Sequence, residues 1–501
     1  MHMKHFMRLI FFCLAASWSS VTAFAADPTQ ILRADLDRIF SDGRLADAQL
    51  GIEVFSLDRA ETLYRKNPQK LFIPASNNKI LTTAASLILL GPDYRFKTHV
   101  MADGPILDGV LKGNLIILGF GDPSSSTRTP LKDPFRAFRD WAARLKQQGI
   151  RAIAGDIIGD GGSFEEKGHG RGWAWDDLAE GYAAPVSALQ FNENLIWIEI
   201  TPGVKTGSLA SIKTEPLPDY LNLNARVVTE AAGNPPRIDI ERTRISEAIV
   251  VSGVLPLKSP PLSRSVAVQF PIRYYLSALK YVLAEEGIDV SDCGIKEMRG
   301  FRPLFTPLLW VHTSSPLSEL LAPLMKMSLN LGCETLARVL GLELRGEGTF
   351  SKGKEVVELA LARMGIGKES YSYADASGLS RLNLVSADAL IQIMKYMHRH
   401  QHFLHFYNAL SIAGVDGTLE SRMIKTKAEN NVHAKTGSFA NVSALSGYLR
   451  TADREMLTFS ILANNFLVPK DVVENVQDKA LARLAGFSRK AQNKKRRQGN
   501  Q

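Results

Sequence analysis

Three short motifs, in a fixed order, most constrain what this chain can fold into. They are Ser76-Asn77-Asn78-Lys79, Ser328-Leu329-Asn330 and Lys435-Thr436-Gly437. Each motif alone is weak evidence, because short patterns of this kind occur by chance in long chains. Their order and local context supply the specificity, since together they offer a nucleophile, a base and a cation for one site.

The first motif is predicted to lie at the start of a helix. Pro74 precedes it, and apolar residues then recur on one face until Gly91 ends the helix. A helix N-terminus favours negative charge on the Ser76 oxygen. Lys79 lies three residues on, hence on the same face, and could accept the hydroxyl proton if it is held neutral. A capping serine and a surface lysine are the alternative.

The second and third motifs are predicted to lie at a helix break and on a strand. Ser328 and Asn330 follow a predicted helix, and a turn would let both side chains face one cavity. Residues 432–437, 442–449 and 457–462 have strand patterns, which predicts an antiparallel sheet with Lys435 on its edge. An ordinary loop and an ordinary edge strand are the alternatives.

The chain resembles the low-molecular-mass D-alanyl-D-alanine carboxypeptidases and endopeptidases, the class C penicillin-binding proteins. The resemblance rests on the three motifs, on the 252-residue interval between Ser76 and Ser328, and on further stretches. These are GFGDP at 119–123, APVSAL at 184–189, DASGLSR at 375–381 with Asn383, and AGVDGTL at 413–419. Leu329 and Ala440 depart from residues found in relatives, and Ala440 bears on substrate preference.

The resemblance implies a fold of the α/β (α+β) class. A serine β-lactamase/transpeptidase-like domain, with an antiparallel sheet flanked by helices, would carry a large β-rich inserted domain. The expected layout is a signal peptide at 1–25, this domain at 26–92 and 266–487, the insert at 93–265 and a basic tail at 488–501. A nested lobe is expected at about 190–244, and the Pro-rich residues 255–261 as the return linker.

The resemblance also implies the reaction. Ser76 would attack the carbonyl between two terminal D-alanines of peptidoglycan peptides, with Lys79 as base and Ser328 passing the proton to the leaving amine. The substrate-binding residues would be Asn330 for the acyl-side amide, Lys435 with Thr436 for the carboxylate, and Gly437, Ser438 and Arg381. The amides of Ser76 and Ser438 would form the oxyanion hole. β-Lactam antibiotics are the expected inhibitors, and no metal or cofactor is expected.

The N-terminus predicts export to the periplasm. Lys4 and Arg8 precede an apolar stretch at 9–16, and Ala23-Phe24-Ala25 forms a small-x-small cleavage site. Only Cys293 and Cys333 would then remain, too few for a disulfide framework, and their pairing stays open. The histidines at 398, 400, 402 and 405 favour a solvated helix end over a metal site.

Charge is concentrated at the chain ends. Lys4, Arg8 and six basic residues from Arg489 to Arg497 account for nearly all of the net charge of +9. The rest is close to neutral, so nucleic acid is not an expected partner. A disordered, solvated tail is favoured over peripheral contact with an anionic envelope surface. A β-lactamase and a non-catalytic cell-wall-binding protein remain as alternative functions.

Overall fold

The computed structural model describes residues 27–128, 132–165, 167–218, 220–242, 248–300 and 306–490. The predicted signal peptide and the basic tail beyond residue 490 lie outside these ranges.

The described ranges contain ten α-helices and 23 β-strands. The helices are α1 (Pro28–Phe40), α2 (Lys79–Leu89), α3 (Arg136–Gln147), α4 (Pro271–Glu285), α5 (Leu317–Lys326), α6 (Asn330–Arg345), α7 (Phe350–Arg363), α8 (Ala387–Arg399), α9 (Phe403–Ala409) and α10 (Lys470–Ala485). The strands are β1 (Gln49–Ser56), β2 (Glu61–Lys66), β3 (Leu71–Phe72), β4 (Lys97–Ala102), β5 (Ile106–Leu107), β6 (Val110–Leu111), β7 (Leu115–Gly119), β8 (Ala152–Ile153), β9 (Ile157–Asp160), β10 (Leu195–Thr201), β11 (Ser211–Glu215), β12 (Leu223–Glu230), β13 (Arg237–Arg242), β14 (Ile249–Pro256), β15 (Leu262–Ala267), β16 (Ile295–Met298), β17 (Leu308–Thr313), β18 (Tyr371–Ser372), β19 (Leu384–Ser386), β20 (Ser411–Ile412), β21 (His433–Phe439), β22 (Val442–Arg450) and β23 (Met456–Asn464).

A six-stranded antiparallel sheet, in the order β2-β1-β23-β22-β21-β20, forms the centre of the β-lactamase/transpeptidase-like domain, which carries the three motifs and is called the catalytic domain below. Helices α1 and α10 pack on one face, and α2 and α8 belong to the helical layer on the other. Strand β23 is buried along its whole length, as expected for a strand covered on both faces. The predicted α/β (α+β) domain, with an antiparallel sheet flanked by helices, is confirmed.

Helix α2 lies at the centre of the helical layer. Its residues from Lys79 to Leu87 are all buried, and small side chains such as Ala84 and Ala85 let α6, α7 and α8 pack closely around it. A helix enclosed on every side needs no polar face, which explains why its sequence is mostly apolar. This enclosure fixes the position of the motif at its N-terminus.

The inserted domain is built on a five-stranded sheet in the order β16-β9-β7-β4-β17, against which α3 and α4 pack. A further lobe holds two three-stranded sheets, in the orders β11-β10-β15 and β12-β14-β13, around a small apolar core. The sequence predicts a β-rich insert with a nested lobe in this part of the chain.

The chain returns to the catalytic domain later than residue 266, where the sequence analysis places the return. Helix α4 packs in the core of the insert, β16 pairs with β9, and β17 pairs with β4. Of the Pro-rich residues 255–261, predicted as the return linker, the first two end β14 and the others join β14 to β15. A local sequence pattern cannot tell whether a segment belongs to the insert or to the catalytic domain, because pairing with strands far away in sequence decides this. We propose that the domain boundary lies near residue 314.

Candidate active site

Ser76 lies where the helical layer meets the edge of the central sheet. A one-turn 3₁₀ helix, Ala75–Asn78, carries it and runs directly into α2. Ala75 adopts φ +46°, a conformation that is uncommon outside glycine and often found at functional sites. The predicted helix start at the first motif is confirmed, with one 3₁₀ turn preceding the α-helix.

The Lys79 amine contacts three oxygen atoms. Its Nζ lies 2.9 Å from Ser76 Oγ, 2.6 Å from Asn330 Oδ1 and 2.7 Å from the Ser377 carbonyl oxygen. The Lys79 side chain is fully buried. Burial lowers its pKa from the usual lysine value, and the carboxylate of Asp375 is among the groups that oppose this shift.

Asn330, the first residue of α6, is oriented by the inserted domain. Its Nδ2 donates to the backbone carbonyl oxygen of Tyr182 at 2.8 Å. Tyr182 lies in a short 3₁₀ turn, Gly181–Ala183, of the insert. Because the amide nitrogen faces Tyr182, the amide oxygen faces Lys79.

Ser328 and Lys435 form a second pair of hydroxyl and amine. Ser328 lies between α5 and α6 with φ +60°, in the left-handed region. Lys435 Nζ donates to Ser328 Oγ at 2.9 Å and to the Thr436 carbonyl oxygen at 3.0 Å. Burial, reinforced by the charge of Lys79, lowers the pKa of Lys435 well below its usual value. The amine is fully buried, so it faces the serine and not solvent.

Strand β21 carries the third motif along the outer part of the sheet. The two-residue strand β20 pairs with His433 and Ala434, so this pairing ends just before Lys435. Thr436 Oγ1 donates to Thr418 Oγ1 at 2.7 Å beyond that point. The predicted strand and its place at the sheet edge are confirmed, with β20 covering only its first residues.

Gly437 allows β21 to approach the nucleophile. A Cβ atom at this position would lie 2.5 Å from the Pro74 carbonyl oxygen and 2.9 Å from the Ser76 backbone nitrogen. No side chain fits in this space. The close approach also brings the backbone that follows, at Ser438, to the same cleft as Ser76.

A cleft of about 490 Å³ opens at Ser76. Its lining combines the predicted motifs, two loops of the catalytic domain and one segment of the insert: Ser76, Ser328, Asn330, Ser438, Gly378, Leu379, Arg381, Phe439, Ala440, Gly172, Ala174, Asp177 and Tyr182. The Tyr182 hydroxyl donates to Asp177 Oδ1 at 2.6 Å. Asp177 and Tyr182, like Gly172 and Ala174, belong to the insert and are not among the site residues predicted from the sequence. One sequence feature could have indicated a role for this part of the insert: two tryptophans, at 173 and 175, lie in a segment without a strand pattern.

Arg381 lies at the rim of the cleft. Its Nη2 donates to the Ala440 carbonyl oxygen at 3.3 Å, and its guanidinium lies 5.0 Å from the centre of the Phe439 ring. A cation over an aromatic face is favourable and holds the side chain in place. The structure therefore brings Arg381 to the same cleft as the three motifs.

Cys293 and Cys333 are free and buried. Cys293 lies in the core of the insert, and Cys333 lies in the helical core of the catalytic domain.

Within the described ranges, no group of three histidine, cysteine or acidic side chains lies close enough to hold a metal ion. In the same part of the chain, no helix is both long and apolar enough to span a membrane.

This arrangement of the motif residues is typical of the site of a penicillin-recognising acyl-serine hydrolase. A serine at a helix start, a lysine one turn later, a Ser-x-Asn loop and a Lys-Thr-Gly strand converge on one cleft. The chain belongs to the D-Ala-D-Ala carboxypeptidase 3 (S13) family, whose sequence profile matches residues 32–486. The protein is therefore a serine-type D-alanyl-D-alanine carboxypeptidase, and the resemblance seen in the sequence is confirmed.

Known relatives match the chain over most of its length. The D-alanyl-D-alanine carboxypeptidase of Actinomadura sp. is 33% identical over 494 residues, 95% of this chain and 88% of the relative. The D-alanyl-D-alanine carboxypeptidase DacB of Haemophilus influenzae is 28% identical over 423 residues, 84% of this chain and 86% of the relative. The crystal structure of penicillin-binding protein 4 from H. influenzae superposes with a TM-score of 0.78 and 26% identity, covering 91% of this chain and 99% of that one. A complex of that protein with a β-lactam superposes with a TM-score of 0.72 and 26% identity, covering 89% and 97%.

Proposed function

We propose that the protein removes terminal D-alanine from peptidoglycan peptides, with Ser76 as the acylated nucleophile and Lys79 as the general base. The observation that carries this proposal is the 2.9 Å contact between the buried amine of Lys79 and Ser76 Oγ. A serine hydroxyl becomes a nucleophile when a base lies within hydrogen-bond reach. A lysine with a lowered pKa is such a base.

The partners of Lys79 are compatible with its neutral form, which burial favours. A neutral amine has two hydrogens to donate and one lone pair. The amide oxygen of Asn330 and the carbonyl oxygen of Ser377 accept these two hydrogens. The lone pair then faces the Ser76 hydroxyl and can take its proton.

The acylation step follows from this geometry. Ser76 Oγ would attack the carbonyl carbon of the penultimate D-alanine while its proton passes to Lys79. Backbone amides of Ser76 and Ser438 would stabilise the oxyanion, at about 3 kcal/mol per donor. The tight packing at Gly437 supports this pairing of amides. The C–N bond then breaks, D-alanine leaves with a proton on its amine, and water hydrolyses the serine ester.

Ser328 is proposed to deliver the proton to the leaving amine. Its Oγ accepts a hydrogen bond from Lys435, so the hydroxyl hydrogen points elsewhere and is available to the leaving group. We propose that the substrate carboxylate lies at Lys435, Thr436 and Ser438. The Lys435 amine donates to Ser328 and the Thr436 hydroxyl donates to Thr418, so we assign the direct contact with the carboxylate to the Ser438 hydroxyl. Lys435 and Thr436 lie beside it on β21.

Asn330 and Arg381 are proposed to hold the acyl part of the substrate. Asn330 Nδ2 carries two hydrogens and donates one to Tyr182, so the second is free for the acyl-side amide. Arg381 lies on the cleft rim, where its charge can meet a carboxylate of the peptide.

Intact-mass spectrometry after incubation with a penicillin tests the nucleophile. We expect one stable adduct on the parent and none on Ser76→Ala. Ser41→Ala, at an exposed serine that follows α1, is the matched control and should carry the adduct. Penicillin consumption without an adduct would support a β-lactamase. Neither adduct nor consumption would support a non-catalytic cell-wall-binding protein.

Cleavage of D-alanyl cross-links is a second proposed activity, because both reactions attack the same D-alanyl carbonyl and differ only in the leaving group. Digestion of purified cross-linked and uncross-linked muropeptides separates them. Loss of terminal D-alanine alone would refute the endopeptidase activity.

We place the mature protein in the periplasm, with cleavage near Ala25, which the N-terminal sequence of the secreted protein would test.

The tail is proposed either as a solvated end or as a peripheral contact with an anionic envelope surface. Arg489 Nε donates to Glu455 Oε2 at 2.8 Å, so this arginine is already held by the catalytic domain. Truncation after Lys490 preserves that pair. Binding to anionic vesicles is compared for the full-length and truncated proteins at low and high salt. If truncation leaves the salt-dependent binding unchanged, the tail does not make the surface contact.

A further inference from the structure

The third partner of Lys79 is a backbone oxygen, and the turn that carries it is held by a buried carboxylate. Glu334 Oε1 accepts hydrogen bonds from the backbone nitrogens of Ala376 and Ser377, each at 2.9 Å. The Ser377 carbonyl oxygen then accepts from Lys79 Nζ at 2.7 Å. Glu334 is therefore linked to Lys79 through the backbone of a single residue, Ser377.

A second carboxylate holds the other end of the same turn. Asp375 Oδ1 accepts from the Gly378 nitrogen at 2.7 Å and from Asn383 Nδ2 at 2.8 Å. Gly378 adopts φ +88°, and a Cβ there would lie 1.9 Å from the Ala75 carbonyl oxygen. The turn is thus fixed at both ends and packed directly against the segment that carries the nucleophile.

Helix α6 supplies both groups that direct the lysine. Asn330 and Glu334 are four residues apart and so lie on one face of this helix. Asn330 offers its oxygen to Lys79 directly, and Glu334 fixes the oxygen of Ser377. The Glu334 side chain is 1% exposed.

An arginine balances the Glu334 charge and links it to the insert. Arg338 Nη1 lies 3.4 Å from Glu334 Oε2, and Arg338 Nη2 lies 3.2 Å from Glu165 Oε1 of the inserted domain. A buried carboxylate needs such a partner to remain charged. The two oxygens of Glu334 are therefore divided, one for the backbone amides and one for the guanidinium.

We propose that Glu334 is a positioning residue for the reaction: it holds the Ser377 carbonyl oxygen against the Lys79 amine and so directs the lysine lone pair at Ser76. The inference rests on the proposed role of Lys79 as the base. Glu334 touches neither substrate nor the reacting atoms, and it acts through Ser377.

The charge of Glu334 also affects the base. The charged and titratable groups around it are Asp375, Arg338, Lys79, Cys333 and Tyr373. Burial and the Asp375 charge raise the pKa of Glu334 to about 7, and Arg338 opposes them. A negative Glu334 favours protonated Lys79, so its removal lowers the pKa of the lysine further.

The test is the second-order rate constant for acylation by penicillin, measured against pH for the parent and Glu334→Gln. Glutamine would place an N–H group against either Arg338 or the two backbone amides, so it cannot replace both contacts. We expect the plateau rate to fall by about 10-fold, as a misdirected base implies. We also expect the acid limb to move to lower pH by about half a unit or more.

Glu53→Gln is the matched control, because Glu53 is also a buried glutamate whose pKa is raised to about 7, but it lies on β1 with Thr62 and Asp388 as neighbours. Its plateau and acid limb should equal those of the parent. If Glu334→Gln also equals the parent in both, and only its melting temperature changes, Glu334 is merely structural and the proposal is wrong.

Glu334→Asp provides a second variant that keeps the charge but withdraws the carboxylate from the turn. It should lower the plateau while leaving the acid limb near that of the parent, and an unchanged plateau would overturn the proposal. A different result would show that Lys79 is not the general base. In that case Lys79→Met would acylate at the parent rate, whatever the rates of the Glu334 variants.

Discussion

The indole nitrogen of Trp173 donates to the buried carboxylate of Asp375 at 2.9 Å. This bond joins the inserted domain to the turn that contacts Lys79. The bond from Asn330 to the Tyr182 carbonyl oxygen is a second link between the same two domains. The insert therefore contributes to the active site, although the motifs themselves all lie in the catalytic domain.

Trp173→Phe should destabilise the protein and slow acylation by penicillin a few-fold. Asp375 would lose one of its donors, which costs about 1–3 kcal/mol for a buried group. Thermal unfolding and acylation kinetics measure the two effects. Trp310→Phe is the matched control, because this buried indole nitrogen has no hydrogen-bond partner among the described residues. Equal acylation rates in the two variants would contradict the coupling.

Gly437→Ala should abolish most acylation. The new methyl group would press on the Pro74 carbonyl oxygen and the Ser76 nitrogen, so the nucleophile or β21 must move. We expect a loss of about 100-fold or more, since small displacements at reacting atoms are costly. Gly43→Ala, where a Cβ would meet nothing within 4 Å, should acylate like the parent. A Gly437→Ala variant with full activity would refute the packing argument.

Lys79→Met should lower the acylation rate by about 100-fold or more at every pH, because general-base catalysis is lost. The side chain is buried and of similar length, so the fold should persist. Lys395→Met, on α8 outside the cleft, is the control and should leave the rate unchanged. Circular dichroism would establish that both variants are folded.

The parent should acylate at pH values below the ordinary pKa of lysine. Only the neutral Lys79 amine accepts the proton, so the rate falls as pH decreases through the pKa of this lysine. Burial lowers that pKa, so the acid limb should lie clearly below the ordinary lysine value of about 10.4. Acylation rates across the neutral and alkaline range measure it. An acid limb near the ordinary lysine value would mean that Lys79 is not the base.

Glu53 should make stability depend on pH. Burial, with the Asp388 charge, raises its pKa from 4.5 to about 7. The folded state keeps this proton while the unfolded state has lost it, so the contribution of Glu53 to stability falls as pH rises from 4.5 to about 7. Glu53→Gln should therefore gain melting temperature relative to the parent across this range and no further above it. A constant difference would contradict the assignment.

Local sequence predicted the parts of the molecule that depend on near neighbours. The helix start at Ser76, the strands that follow Lys435 and the alternation of apolar residues are all set within one or two turns of chain. The three motifs and their order therefore pointed to one site before any contact was known. The two hydroxyl and amine pairs, Ser76 with Lys79 and Ser328 with Lys435, then lie as close as that site requires.

The tertiary structure decided what depends on residues far apart in sequence. Strand β17 pairs with β4, which keeps the chain in the sheet of the insert up to Thr313, and no local pattern encodes this pairing. Glu334 in mid-helix and Trp173 in a loop have ordinary local contexts, and only packing places them around Lys79. The same burial that brings these groups together removes water from the lysines and lowers their pKa values, so the chemistry of the site is a property of the folded chain.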